Sequence, residues 1–351
     1  MSLTINFSTP FSQINTSNKI LAIKTPWIEK YRPKTSNEIL LDPFIKQKID
    51  KILEDKSIPN MIITGEPGTG KTSTIICLAK QIYPQKIFNE CVLELNASDD
   101  RGLSIINNTI LPFCKKKVDK NINKLVILDE ADSITTKAQN LLSNIIAEFR
   151  KNTRFVFICN DCSQITESIQ SRCMIIKYGR LSKENLYNKI LSICKIEDIK
   201  FTEDGINELL FLSDYDIRQA INNLECIFYF NKIINKENVY NIIDKPKPYY
   251  VEKILTNCIN GNLNESINTI KVLFNKGYTS NDILLTFMKC LLEKRFNEKT
   301  FEVNNKNLCS EEIILKIYEI VSLSYIRVNG GNDTLLQLLG CISKIYLYLE
   351  N

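Results

Sequence analysis

The 351-residue sequence contains no histidine. That absence removes His-based catalytic triads, imidazole general bases and histidine metal ligands. Any proton transfer must run through carboxylates, lysine, tyrosine or cysteine. Long apolar runs are missing as well: no hydrophobic stretch of about 18 residues occurs, so no transmembrane helix and no membrane partner are expected. Glycine (11) and proline (10) are sparse, and 44% of residues are hydrophobic against 24% charged. Collagen-like, mucin-like and wholly disordered chains are excluded by that balance. Residues 1–24 are polar and rich in Ser, Thr and Asn, without the cationic-then-apolar pattern of a secretory leader, and read as a flexible arm. A reducing compartment with free thiols follows as the expectation.

Cysteine, by contrast, is plentiful at 12 residues. Cys159 and Cys162 form a C-x-x-C pair, with Cys173 further on. A structural zinc site needs four thiolate or imidazole ligands, usually as two close pairs, and there is no second pair. Buried cysteines acting as small hydrophobes are expected instead.

Charge is mild overall, +5, but uneven. Residues 1–180 hold 25 Lys and Arg against 18 Asp and Glu, while residues 181–351 hold 20 against 22. A basic first half suits an anionic partner such as phosphate or nucleic acid. The run Lys115–Lys117 reads as a solvated loop.

At ~100–200 residues per domain, the length argues for two or three domains. From Thr25 to about Arg180, short β-like runs (Met61–Thr64, Val92–Leu95, Lys124–Leu128, Phe155–Cys159) alternate with helical patterns such as Thr72–Gln81 and Thr136–Arg150. All but the second run are nearly continuously apolar, as parallel strands buried on both faces require. The alternation predicts an α/β domain, with ligands beyond the carboxyl ends of the strands. After Arg180 the strands are expected to stop. Ser182–Ile196, Thr202–Ser213 and Ile217–Phe230 read as helices, with Ser182 and Thr202 as N-caps. The segment Asp244–Tyr250 carries two prolines and reads as a linker. Beyond it lie further amphipathic helices: Val251–Asn260, Leu263–Lys276, Ser280–Lys294, Ser310–Val328 and Asp333–Leu349.

The strongest chemical signal is Gly65-Glu66-Pro67-Gly68-Thr69-Gly70-Lys71-Thr72, a full G-x-x-x-x-G-K-T between an apolar strand and a helix. Glycines let the backbone curl so that N–H groups converge on phosphate oxygens, and the helix N-terminus adds its dipole. Lys71 is placed to neutralise the β- and γ-phosphates of ATP and Thr72 to ligate Mg²⁺. The partner motif is Leu125–Leu128 followed by Asp129 and Glu130. Asp129 is read as holding the metal and Glu130 as polarising the attacking water, which favours a hydrolase over a kinase. Asn160, ending the next strand, can orient that water. Taken alone, Arg172 and Arg218 are isolated arginines of the kind usually found as surface charges.

The order of motifs closely resembles the small subunits of replication factor C, the AAA+ sliding-clamp loader. The motifs are Trp27–Pro33, GEPGTGKT, Leu95-Asn96-Ala97-Ser98-Asp99-Asp100-Arg101-Gly102, LDEAD, Ile169-Gln170-Ser171-Arg172-Cys173 and Asp216-Ile217-Arg218-Gln219-Ala220. The resemblance covers residues 25–230 with specific motifs, and the C-terminal part in length and helical character. It implies an arm (1–24), an AAA+ P-loop ATPase domain (25–181), a helical lid (182–245) and a helical collar that oligomerises (246–351). It further implies that Tyr31 and Arg32 lie near adenine and that Asn160 is the first sensor. Arg172 becomes an arginine finger reaching a neighbour's γ-phosphate, Arg218 the second sensor on the lid, and Arg101 a residue facing DNA. Partners implied are other clamp-loader subunits in a hetero-oligomer of five, a sliding clamp and primer–template DNA. The location implied is intracellular, at sites of DNA replication in a nucleus or a viral replication compartment.

Two departures from the family pattern stand out. Ser143 and Asn144 replace an Arg pair and Ala147 a Glu, removing three charges from one helix. Tyr215 replaces a common Gly before Asp216, which should alter the turn into the second-sensor helix. Hence two readings: an ATPase subunit loading a clamp onto primed DNA, or a mainly structural, nucleotide-binding subunit that donates Arg172 but hydrolyses little.

Overall fold

The structure, a computed structural model, describes residues 25–98, 102–116, 122–293, 302–303, 306–307 and 311–350. Five strands, β1 (Met61–Gly65), β2 (Val92–Asn96), β3 (Lys124–Asp129), β4 (Thr153–Cys159) and β5 (Met174–Tyr178), form one parallel sheet. Their order is β2-β3-β4-β1-β5. The apolar runs of β1, β3 and β4 lie in its middle, whereas β2 is an edge strand whose residues are only partly covered, matching its mixed sequence.

Both sheet faces are covered. On one, Ile63, Ile127 and Ile158 pack beneath α2 (Pro43–Glu54) and α3 (Lys71–Ile82). On the other, Val126, Leu128 and Phe157 pack against α7 (Thr136–Glu148). Short helices connect the rest: α1 (Trp27–Lys30), α4 (Phe88–Cys91), α5 (Leu103–Ile105), α6 (Leu111–Lys115) and α8 (Glu167–Gln170), with a π-turn over Ile106–Ile110 between α5 and α6. Lys124, a buried lysine opening β3, donates to the carbonyls of Phe113 (2.6 Å), Cys114 (3.3 Å) and Lys116. It thereby satisfies carbonyls that the end of α6 leaves without intrahelical partners.

Helices dominate after Arg180. Ser182 accepts from the amide of Asn185 and starts α9 (Lys183–Ile196), Thr202 accepts from Gly205 and starts α10 (Glu203–Leu212), and Asp216 accepts from Arg218 and starts α11 (Ile217–Asn231). Next comes α12 (Lys236–Ile242). The strands do not stop at Arg180, however. The two-residue strands β6 (Lys200–Phe201) and β7 (Ile233–Ile234) pair in parallel, and β8 (Glu302–Val303) with β9 (Lys306–Asn307) antiparallel. Pairs this short carry no readable periodicity.

The last helices are α13 (Pro248–Ile259), α14 (Leu263–Asn275), α15 (Ser280–Leu292), α16 (Glu311–Asn329) and α17 (Leu335–Glu350). α13 begins within the proline-bearing segment rather than after it, because Pro248 occupies the first helical turn, where a fixed φ and a missing N–H cost nothing. One cluster of buried residues runs from Leu186, Leu209 and Leu224 to Ile254, Phe287 and Ile345, and it takes in Trp27 from the start of the described chain.

Candidate nucleotide site

β1 delivers the chain into the loop Glu66–Gly70, and α3 starts at Lys71 with Gly70 (φ 89°) as its left-handed N-cap. The first amides of α3 therefore face the loop's concavity, an anion site by construction. Because β3, β4 and β1 are parallel neighbours, Asp129, Asn160 and the loop emerge at the same sheet end. Lys71 is buried, and its Nζ donates to the carbonyls of Gly65 (2.6 Å) and Glu66 (2.9 Å) and to Asn160 Oδ1 (2.9 Å). Burial depresses its pKa; Asp129 opposes that shift and Arg218 adds to it.

Thr72 Oγ1 donates to Asp129 Oδ2 at 2.8 Å. Glu130 is exposed, adopts a left-handed φ of 51°, and its amide donates to Asp129 Oδ1 at 2.9 Å. Two further bonds fix the Asn160 main chain: its amide donates to Asp132 Oδ2 (3.1 Å) and its carbonyl accepts from Thr64 Oγ1 (3.1 Å). Lys71, Thr72, Asp129, Glu130, Asn160 and Arg218 all line one cavity of about 160 Å³.

A second cavity of about 280 Å³ adjoins it, walled by Tyr31, Arg32 and Ile39, by Gly68–Gly70, and by Ile217 and Ile221 of α11. The wall containing Tyr31 is pinned to the helices that follow Arg180. Tyr31 Oη and Lys30 Nζ donate to Glu197, the Trp27 amide donates to Glu225 Oε2 at 2.9 Å, and the Trp27 ring lies 5.2 Å from that of Phe228. Arg172 is apart. It is exposed at the end of α8, lines neither cavity, and donates to the Ser168 carbonyl at 2.5 Å.

The turn before α11 touches the loop at Gly68. With φ 77°, this residue stands where L side chains rarely go, and a Cβ there would lie 2.2 Å from Asp216 Oδ1, the oxygen that caps α11. Gly68→Ala is therefore expected to lower stability by about 1–2 kcal/mol through backbone strain alone. It should also weaken nucleotide binding by pushing α11 off the loop, as a thermal melt and an ATP titration would register. Unchanged binding would remove Asp216 from the site.

Burial pushes Cys159 up to about 11 and Cys173 up to about 12, and raises Cys162 as well, so all three stay protonated near neutrality.

The profile of the ATPase family associated with various cellular activities (AAA) matches residues 61–181, the span holding this cavity's loop, acids and Asn160. That of the replication factor C C-terminal domain matches residues 246–344. Replication factor C subunit 4 of Saccharomyces cerevisiae is 38% identical over 334 residues, 94% of this chain and 98% of that protein. The chain belongs to the replication factor C small-subunit family. Replication factor C subunit 5 of Homo sapiens is 40% identical over 263 residues, 74% of this chain and 77% of that protein. Among solved structures, the RuvB Holliday junction branch migration motor of Thermotoga maritima shares the fold at 16% identity, with a TM-score of 0.51 over 65% of this chain and 79% of that one. As a replication factor C subunit the chain is an AAA ATPase that binds nucleotide, acts in DNA replication and works beside other clamp-loader subunits.

The family's altered helix is accommodated rather than broken. Ser143, where the resemblance leads one to expect Arg, is buried and donates to the Ser168 carbonyl at 3.3 Å, the same oxygen that Arg172 engages. Asn144 and Ala147 face solvent. Arg101 lies outside the described residues. Sequence reading missed Gln139, a buried side chain that donates to the carbonyls of Ile134 (3.1 Å) and Gln164 (2.9 Å) and accepts from the Thr166 amide (2.7 Å). It ties the segment after Glu130 to the segment before Arg172. Nothing in the local sequence announces such a tie, since its partners are main-chain groups, two of them in a distant loop.

Proposed function

We propose that the protein uses ATP binding and hydrolysis to help load a sliding clamp onto primer–template DNA, as one subunit of a five-membered hetero-oligomer. The observation that carries this reading is the convergence of Lys71, Thr72, Asp129, Glu130, Asn160 and Arg218 on one cavity, with Arg172 excluded from it. An ATPase domain (25–181), a lid (182–245) and a collar (246–351) follow from the same reading. The triphosphate lies along the loop, its β- and γ-phosphates meeting the α3 amides and Lys71, and its base enters the cavity beside Tyr31 and Arg32.

The hydroxyl of Thr72 and the carboxylate of Asp129, 2.8 Å apart, are the hard oxygen donors that Mg²⁺ prefers, so they fit that ion. When bound, it would neutralise charge developing on the phosphates. Glu130 accepts the proton of the attacking water as its oxygen bonds to the γ-phosphorus and the bond to ADP breaks. Asn160 orients that water, and Arg218 senses the γ-phosphate from the lid. Arg172, exposed on another edge, serves the neighbouring subunit's site.

The last helices supply surface for assembly. Leu315 and Ile326 of α16 and Leu336 and Leu347 of α17 are more than half exposed, which fits burial against other collars. DNA contact falls to the basic first half and to Arg101, and the site of action is the nucleus or a viral replication compartment. The mainly structural alternative is disfavoured by the intact Glu130.

With its partner subunits, the purified protein should hydrolyse ATP, and primed DNA together with the clamp should stimulate that rate. ATPase activity indifferent to both would contradict the clamp-loading reading.

A further inference from the structure

The turn from α10 to α11 holds two successive residues, Asp214 and Tyr215, at a left-handed φ of 57°. Side chains with a Cβ avoid this region because they crowd the backbone carbonyl. Two in a row persist only where the surroundings fix them. Here both are clamped, and both clamps lead to α15. One carboxylate oxygen of Asp214 receives Lys245 Nζ at 2.9 Å, and the other receives Lys289 of α15. Lys245 also donates to the Leu212 carbonyl at 2.7 Å, closing the turn. Burial raises the Asp214 pKa, but the hydrogen bonds from Lys289 and Lys245 outweigh it and hold the carboxyl below its ordinary value. Tyr215 presents its ring to Lys183 Nζ, 4.4 Å from the centroid, and that ammonium donates at 3.0 Å to Glu293, the residue that ends α15.

The next residue, Asp216, caps α11 and lies against Gly68, while Arg218 reaches the phosphate cavity. Within five residues the chain thus passes from ion pairs with α15 to the nucleotide. We infer that Asp214 and Tyr215 are positioning residues for Arg218: they fasten the start of α11 to α15, so that contact with the γ-phosphate and the last helical bundle shift together. This rests on the assignment of Arg218 to the γ-phosphate. Asp214, Lys245 and Lys289 are about one-third exposed and Lys183 is more open still, so their contribution is directional rather than a large sum of ion-pair energy. A tyrosine at a position where the family commonly has glycine becomes intelligible, because its ring supplies the second clamp.

The test compares ATP and ADP titrations, both with Mg²⁺, on the full-length chain. Asp214→Asn keeps the side chain's shape and removes its charge; Tyr215→Gly keeps the turn and removes the ring. Each is expected to weaken ATP about 5-fold or more while leaving ADP within about 2-fold, the size of an ordinary coupling. On an Arg218→Ala background neither should change the ATP-to-ADP ratio further, since the effect runs through that guanidinium. A role confined to stability weakens both nucleotides together, and that result overturns the inference. So does an unchanged ratio in both variants while Arg218→Ala alone shifts it. If Arg218→Ala itself leaves the ratio intact, the γ-phosphate assignment fails first and takes the inference with it.

Discussion

Lys71→Ala should reduce ATP hydrolysis by at least about 10²–10³-fold, the usual cost of deleting one preorganised charge donor at a reacting group. The lysine is buried, and its ammonium spends its three bonds on the Gly65 and Glu66 carbonyls and on Asn160 Oδ1. Burial and Arg218 already disfavour its charge. A triphosphate would reverse that balance, so the bound state gains more from the cation than the free protein does. Loss of the side chain also leaves the partly buried Gly65 and Glu66 carbonyls without this donor, which loosens the loop. A melt should therefore accompany the rate measurement. A folded variant hydrolysing at the wild-type rate would contradict the assignment of Lys71.

Arg172→Ala should show a defect that appears in another subunit. An arginine finger is worth ~10³–10⁵ in rate, yet Arg172 lines neither cavity of its own chain. In mixed assemblies, the variant should silence the site of the neighbour that receives the finger while its own site still binds nucleotide. Among the described residues the guanidinium is held by the Ser168 carbonyl and the Ser171 hydroxyl, contacts that a γ-phosphate can displace. A loss restricted to the variant's own site would contradict a role in trans.

The local parts of the site were legible in the sequence because each carries its own pattern. The phosphate loop has fixed glycine offsets, β3 and β4 carry apolar runs that lead into Asp129 and Asn160, and Ser182 and Thr202 cap the helices they precede. Roles for Arg172 and Arg218 came from family resemblance, since an isolated arginine has no local signature. What the sequence left hidden is non-local. Lys124 reads as the polar start of a strand, yet it is buried under the carbonyls of α6. Pro248 reads as a breaker but begins α13. The turn at Asp214 and Tyr215 is held in the left-handed region, with Lys183, Lys245 and Lys289 gathered around it from separate segments. Gln139 pairs with backbone in two loops. In each case the deciding partner lies far away in sequence or belongs to the main chain, where composition and periodicity carry no signal.

Calorimetric titration of the full-length protein with Mg²⁺–ATP examines the account at its base. One saturable site per chain is predicted, abolished or severely weakened in Lys71→Ala. A correctly folded chain that takes up no ATP, or that binds it equally well without Lys71, would contradict the account.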